Sequence, residues 1–314
     1  MSYSVLRTTD AWWVLVSAGA RRVDTDATTT AELIADTGAV AAAAATAGDG
    51  ELVDPATLSL VSPVTAPCRV VAQMTNYVSH VKDSGMNPEK VPLTFFRKSS
   101  GSIAGPFDEI VKPAHVSLLD YEVEIGIVFG RTVPVGSSID ADGLADAVAG
   151  LVVTNDVSAR DIQLPKTQFY EAKSYPTFTP VGPVLLLLEP GEWESFSTLT
   201  LELRVNGVTR QNSTVADMIY GPLEALRTLT RFQRVDPGDL LLTGTPGGTA
   251  LTAPAKPVEI LGSLLPAHIK WRTFFKRQAG NPKYLRDGDV VEATVRSGDG
   301  ALDLGTQRTV VRYA

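Results

Sequence analysis

The sequence predicts a β-rich α+β chain, with a small N-terminal module at residues 1–66 and a larger domain over residues 67–314. Three features predict it. From Val70 onward, short runs of aliphatic and β-branched residues recur, each bounded by Gly, Pro or Asp. Helical segments are few, and they do not alternate with strands as a doubly wound parallel sheet requires. The composition, 44% hydrophobic and 20% charged over 314 residues, is that of a globular chain able to bury a large core.

Taken in order, residues 11–19 read as a strand running into a turn, and residues 28–47 as an Ala-rich helix with a Thr cluster at its start. Gly48-Asp49-Gly50, Ser62-Pro63 and Pro67 punctuate the passage into the larger domain. Residues 118–130, 150–155, 184–188 and 240–243 read as strands. Residues 201–208 alternate and place Asn206-Gly207 where a tight hairpin turn belongs. Residues 287–295 and 306–311 flank Gly298-Asp-Gly300, a second hairpin. Helices are expected over 141–148 and over 214–230, the latter capped by Thr214. Residues 253–285, with Trp271, Phe274 and Phe275 among basic side chains, read as an insertion forming a loop or short helix.

A net charge of −7 argues against general attraction to nucleic acid or anionic membrane, and no basic stripe or stacking platform is present. The first ten residues lack the basic-then-apolar order of a signal peptide, and no apolar run approaches the ~20 residues of a membrane helix. The expectation is a soluble, cytoplasmic chain. Its one cysteine, Cys68, forms no intrachain disulfide, fits a reducing compartment and reads as a small buried hydrophobe.

The chemistry-bearing residues fall in a few segments. In Asp120-Tyr-Glu-Val-Glu124, alternation puts Glu122 and Glu124 on one strand face, which turns apolar beyond them at Gly126 and Val128. Two partly buried carboxylates so close must share a proton or a cation; a wet strand edge is the bland alternative. A third carboxylate, Asp156, ends the apolar run of residues 150–155, where it serves either as a ligand at a sheet rim or as a helix N-cap. Three carboxylates suit a hard cation such as Mg²⁺ or Mn²⁺. In Asn76-Tyr-Val-Ser-His80-Val-Lys-Asp83, helical spacing lets Asp83 accept a hydrogen bond from His80 and raise its basicity; a surface contact is the alternative. Lys173 precedes a Pro-punctuated aromatic loop, and Thr243-Gly-Thr-Pro-Gly-Gly248 ends a strand in a turn of hydroxyls and amides able to hold an anion.

In this order the segments resemble the fumarylacetoacetate hydrolase family. The carriers are Asn76-Tyr77 with His80, Asp120-Tyr-Glu-Val-Glu124, Thr154-Asn-Asp-Val-Ser-Ala-Arg-Asp161 with Gln163, Ala172-Lys173-Ser174, Gly182-Pro183 and Thr243-Gly-Thr-Pro246. The resemblance implies a distorted β-barrel or roll, usually dimeric, with Glu122, Glu124 and Asp156 as ligands to Mg²⁺ or Mn²⁺. It implies His80 as the water-activating base beside Asp83, which stands where many members carry the longer glutamate. Lys173 and Gln163 would contact the substrate or its oxyanion, and Thr245 would hold the substrate's carboxylate or carbonyl end. Tyr77 joins the substrate-binding set, and Lys98 faces either the pocket or solvent. The expected activity is hydrolysis of a carbon–carbon bond in a small 1,3-dicarbonyl or acylpyruvate-type substrate. Decarboxylation of a 2-oxo diacid and hydration or isomerisation of a 2-oxo acid are alternatives on the same site. A non-catalytic metal-binding scaffold is the alternative of another class.

Overall fold

The computed structural model describes residues 2–46, 51–167, 169–189, 191–253 and 265–314. Among these residues the fold is mixed α/β and strand-rich, with two large sheets. The larger has ten strands in the order Leu52–Val53, Gly19–Arg22, Trp12–Val16, Tyr3–Arg7, Leu185–Leu187, Val148–Asn155, Val123–Phe129, Leu240–Leu242, Val70–Gln73 and Phe95–Lys98. Neighbours are antiparallel except Leu240–Leu242 with Val70–Gln73, which run parallel. The N-terminal strands extend this sheet through Tyr3–Arg7, which pairs with Leu185–Leu187.

The central strands are mostly apolar, apart from Glu124, Thr154 and Asn155 toward the site, because both faces of the sheet are covered. One face (Ile125, Ile127, Leu151, Val153) packs in the same cluster as Leu201, Leu203, Val291 and Val295 of a second, five-stranded sheet. The other (Val128, Val152, Leu185, Leu242) packs with Leu33 and Val40 of the N-terminal helices. Every residue of Val123–Phe129 is buried. At about 1.5–3 kcal/mol for each large aliphatic side chain removed from water, these layers hold rigid the strands that carry the site.

The hairpin joining Leu199–Val205 to Val208–Thr214 turns at Asn206 (φ 51°) and Gly207 (φ 75°), the left-handed pair that a two-residue turn requires. Val290–Ser297 and Asp303–Tyr313 form the second hairpin around Gly298-Asp-Gly300. Helix Ala141–Ala147 lies where expected, with Asp140 accepting from the Gly143 amide. The Ala-rich stretch is two helices, Thr30–Ala35 and Thr37–Ala45, broken at Asp36; Thr29 caps the first in a reciprocal capping box with Glu32.

One helix starts later than the sequence suggests. Thr214 is still paired with Thr200 in the hairpin, so it is extended and its side chain caps nothing. The helix is Pro222–Leu229, begun by Pro222 in its first turn and by Glu224 accepting from the Gly221 amide. Of the 253–285 segment, residues 254–264 lie outside the described set; beyond them is a helix, Ala267–Gln278. Among the described residues no helix is long and apolar enough to cross a membrane.

Candidate active site

The site is assembled at a junction of strands. Register Val123↔Asn155 places the two central strands side by side, and beyond it the Asp156 amide donates to the Glu122 carbonyl at 2.8 Å. Glu122 and Glu124, two residues apart, share a face, and Asp156 arrives beside them. One carboxylate oxygen from each lies within 4.8 Å of the other two, and all three side chains are buried. The wet-edge alternative therefore fails for the glutamates. The capping alternative fails for Asp156, because the next helix, Arg160–Lys166, begins after Ala159. Three buried, converging carboxylates form an oxygen donor set that fits a hard divalent cation.

Buried acids need counter-charge. Lys173 Nζ donates to Glu122 Oε2 at 2.7 Å and to Asp156 Oδ2. Lys98 Nζ donates to Asp156 Oδ1 and to the Phe178 carbonyl. Arg160 spans Asp120, at 2.8 Å from Nε, and Glu122 through Nη2, and its Nη1 donates to Gln163 Oε1 at 2.8 Å. Burial alone would raise the Glu122 carboxyl, but Arg160 and Lys173 outweigh it and hold it well below the usual range. Glu124 behaves oppositely. Burial, followed by Asp156 and Glu122 beside it, pushes its carboxyl well above the ordinary value, and the Gly244 amide at 2.7 Å offsets only part of that. A dication among the three would remove this repulsion. Lys173 stays protonated because Asp156 and Glu122 overcome the effect of burial, whereas burial lowers Lys98 despite Asp156.

His80 sits on the short helix Val78–Asp83 and lines the cavity above the acids. The expected His80–Asp83 hydrogen bond is not formed. Asp83 Oδ2 accepts instead from the Gly248 amide at 2.9 Å, and the buried His80 Nδ1 has no partner among the described residues. The reason lies in the 243–248 turn, whose amides reach the helix: Gly247 N donates to Ser79 Oγ at 2.9 Å, drawing Asp83 to the loop rather than to the imidazole. Gly248 is essential there. Its φ is +102°, and a Cβ would lie 2.1 Å from the Arg210 carbonyl. Burial lowers the His80 pKa below its ordinary 6.5, outweighing the opposite pull of Glu122.

These groups face a cavity of about 770 Å³ lined by His80, Glu122, Glu124, Arg160, Gln163 and Lys173. Thr245 also lines it, but its hydroxyl already donates to the Val123 carbonyl and accepts from Gln211, so its proton is committed to the fold. Gln163 faces the cavity with its carbonyl oxygen held by Arg160. Tyr77 is fully buried in the core and is not among the lining residues. Lys98 faces neither pocket nor solvent; it is buried beneath Asp156.

Sequence reasoning missed Arg160, Asp120, Gln211 and Gln73. Arg160 was visible as the one cation inside the acid-bearing motif. Gln73 closes the apolar strand Val70–Gln73, lines the cavity and is 2% exposed, and neither amide atom has a partner among the described residues. Its signal was a lone polar residue at the end of a buried strand.

Residues 69–312 match the family model "Fumarylacetoacetate (FAA) hydrolase C-terminal". Human "Oxaloacetate tautomerase FAHD2A, mitochondrial" is 35% identical over 196 residues, covering 62% of this chain and 60% of that protein. The chain thus spans about 60% of the length of such curated relatives. Among solved structures, a probable 2-hydroxyhepta-2,4-diene-1,7-dioate isomerase from Mycobacterium abscessus is 29% identical, with a TM-score of 0.75 over 100% of this chain and 99% of that one. Fumarylacetoacetate hydrolase from Exiguobacterium antarcticum is 25% identical, with a TM-score of 0.69 over 100% of both chains. A matched C-terminal-domain model, a shared fold and a converging carboxylate triad agree: the chain belongs to the fumarylacetoacetate hydrolase family.

Proposed function

We propose that this chain is a divalent-metal-dependent enzyme interconverting the enol and keto forms of a 2-oxo acid, with Glu122, Glu124 and Asp156 holding Mg²⁺ or Mn²⁺. The observation that carries it is a buried carboxylate triad facing an imidazole that has no acid partner among the described residues. Proton transfer between an enol oxygen and the neighbouring carbon needs a neutral, unencumbered base. Hydrolytic carbon–carbon cleavage asks more of His80, which must be oriented while it deprotonates water, and Asp83 is occupied by Gly248. Relatives and fold neighbours named as a tautomerase and as an isomerase support the same choice.

When bound, the dication supplies Lewis-acid stabilisation of negative charge on the substrate's oxygens. His80, neutral at neutral pH, accepts the enol hydroxyl proton. The oxygen becomes the ketone as the carbon–carbon π pair takes up, at the adjacent carbon, the same proton that His80 received. Lys173, held protonated between Glu122 and Asp156, supplies an N–H donor to the oxygen as charge develops, a contribution of about 3 kcal/mol in comparable sites. A homodimer accompanies this proposal, by the family resemblance, and sedimentation checks it.

The test follows ultraviolet loss of enol-oxaloacetate with Mg²⁺, with Mn²⁺ and with EDTA, beside assays for pyruvate release from oxaloacetate and from an acylpyruvate. Metal-dependent ketonisation without pyruvate is the expected result. Pyruvate from the acylpyruvate would make the enzyme a carbon–carbon hydrolase, and pyruvate from oxaloacetate would make it a decarboxylase.

A further inference from the structure

The cavity is far larger than a four-carbon 2-oxo diacid requires. At roughly 30 Å³ of liquid volume per water-sized atom, about 770 Å³ holds some twenty-five heavy atoms, more than twice the number in such a diacid. Much of the remaining wall is apolar and aromatic. Phe96 and Phe169 pack edge to face at 5.2 Å on one side. On another, helix Ala267–Gln278 presents half-buried Trp271 and Phe274, with ring centroids 6.0 Å apart. Two large hydrophobic side chains that are exposed to solvent, Met86 (47%) and Leu265 (41%), also line this cavity. Apolar surface left facing solvent around a recessed acid cluster marks a ligand-binding wall rather than a folding core.

The polar content of that space points the same way. Gln73, buried with both amide atoms unpartnered among the described residues, offers an N–H₂ donor group and a carbonyl acceptor to a neutral polar group. Lys270 and Arg277 line the cavity from the same helix, with Lys270 Nζ 5.1 Å from the Trp271 ring centroid. Their charge draws an anionic substrate toward the opening.

We propose, resting on the enol–keto function above, that the substrate is a 2-oxo acid bearing an aromatic-sized apolar tail, and that Trp271 and Phe274 are specificity-determining residues that bind it. The 2-oxo acid end lies toward the triad, and the tail fills the space between Phe96, Phe169 and the Ala267–Gln278 helix.

Two measurements on the whole chain with Mg²⁺ test this. The first is kcat/KM for ketonisation of enol-phenylpyruvate and of enol-oxaloacetate. The second is the binding of N-phenyloxamate and of oxamate, unreactive probes that differ only by the ring. The aryl member should lead at least tenfold in both, and the lead should shrink at least tenfold in W271A/F274A. F274A alone, with its melting temperature compared to that of the parent, should shrink it partly and guards against misfolding. Turnover with no aryl preference in rate or binding overturns the tail assignment and leaves the enol–keto function standing. Aryl preference in binding without turnover of either substrate supports the tail assignment and removes that function.

Discussion

Lys173 Nζ lies 2.7 Å from Glu122 Oε2 and reaches Asp156 with another proton, so one buried ammonium ties together two of the three acids. Replacing it by methionine keeps the stem and removes the charge, leaving two buried carboxylates with one cation fewer. Loss of one partner from such a pair costs about 3–5 kcal/mol. The Lys173→Met variant should therefore melt lower in EDTA than the parent and recover more on addition of Mg²⁺. Ketonisation should fall by about two to three orders of magnitude. Calorimetry with and without metal measures the first effect; equal metal-induced shifts in parent and variant would count against Lys173 as counter-charge.

Asp83 and His80 should separate on mutation. Asp83 holds the Gly248 amide, not the imidazole. Asp83→Asn keeps an acceptor for that amide and should change kcat less than about threefold, within the range of a lost neutral contact. His80→Ala should lower kcat about 10²–10⁴-fold, the usual worth of a positioned general base. Steady-state kinetics decide it: equal losses at the two positions would mean that Asp83 turns to His80 once substrate is bound.

The pH profile follows from the direction of the His80 shift. Burial holds its pKa below 6.5, so the neutral, proton-accepting form persists to lower pH than for an exposed histidine. At saturating Mg²⁺, the acid limb of kcat/KM should have its midpoint below 6.5. That limb should vanish from the residual activity of His80→Ala. Because the folded chain binds this proton less readily than the unfolded chain, His80 also makes stability fall as pH drops through 6.5, and not above it.

Gly248→Ala tests the turn that holds both Asp83 and the strand end. With φ at +102° and the Arg210 carbonyl 2.1 Å from the new methyl, the substitution should destabilise the chain by more than about 1 kcal/mol. Chemical denaturation reads this directly. Activity should fall in parallel, because Gly244 of the same turn donates to Glu124.

The chemistry of the site was legible in the sequence wherever strand alternation controls it. Glu122 and Glu124 share a face because a pleat alternates, and Asp156 follows an apolar run because a strand must end at a rim. The two hairpins were legible for the same local reason: Asn206-Gly207 carries the turn its dihedral angles demand. The start of helix Pro222–Leu229 was not, since long-range pairing with Leu199–Val205 kept Thr214 extended against its capping propensity.

The sequence by itself determined the family, the strand-rich class and the acids that converge. Only the tertiary structure decided how their charge is balanced and what the histidine meets. Lys98, a surface candidate by its neighbours, is buried under Asp156 because its strand is the edge of the main sheet beside Val70–Gln73 and its side chain turns inward. Asp83 is three residues from His80, a spacing that permits a bond, yet a loop arriving from 165 residues away supplies a better-placed donor. Sequence spacing states which contacts a helix allows; competition among partners brought together by folding selects one of them.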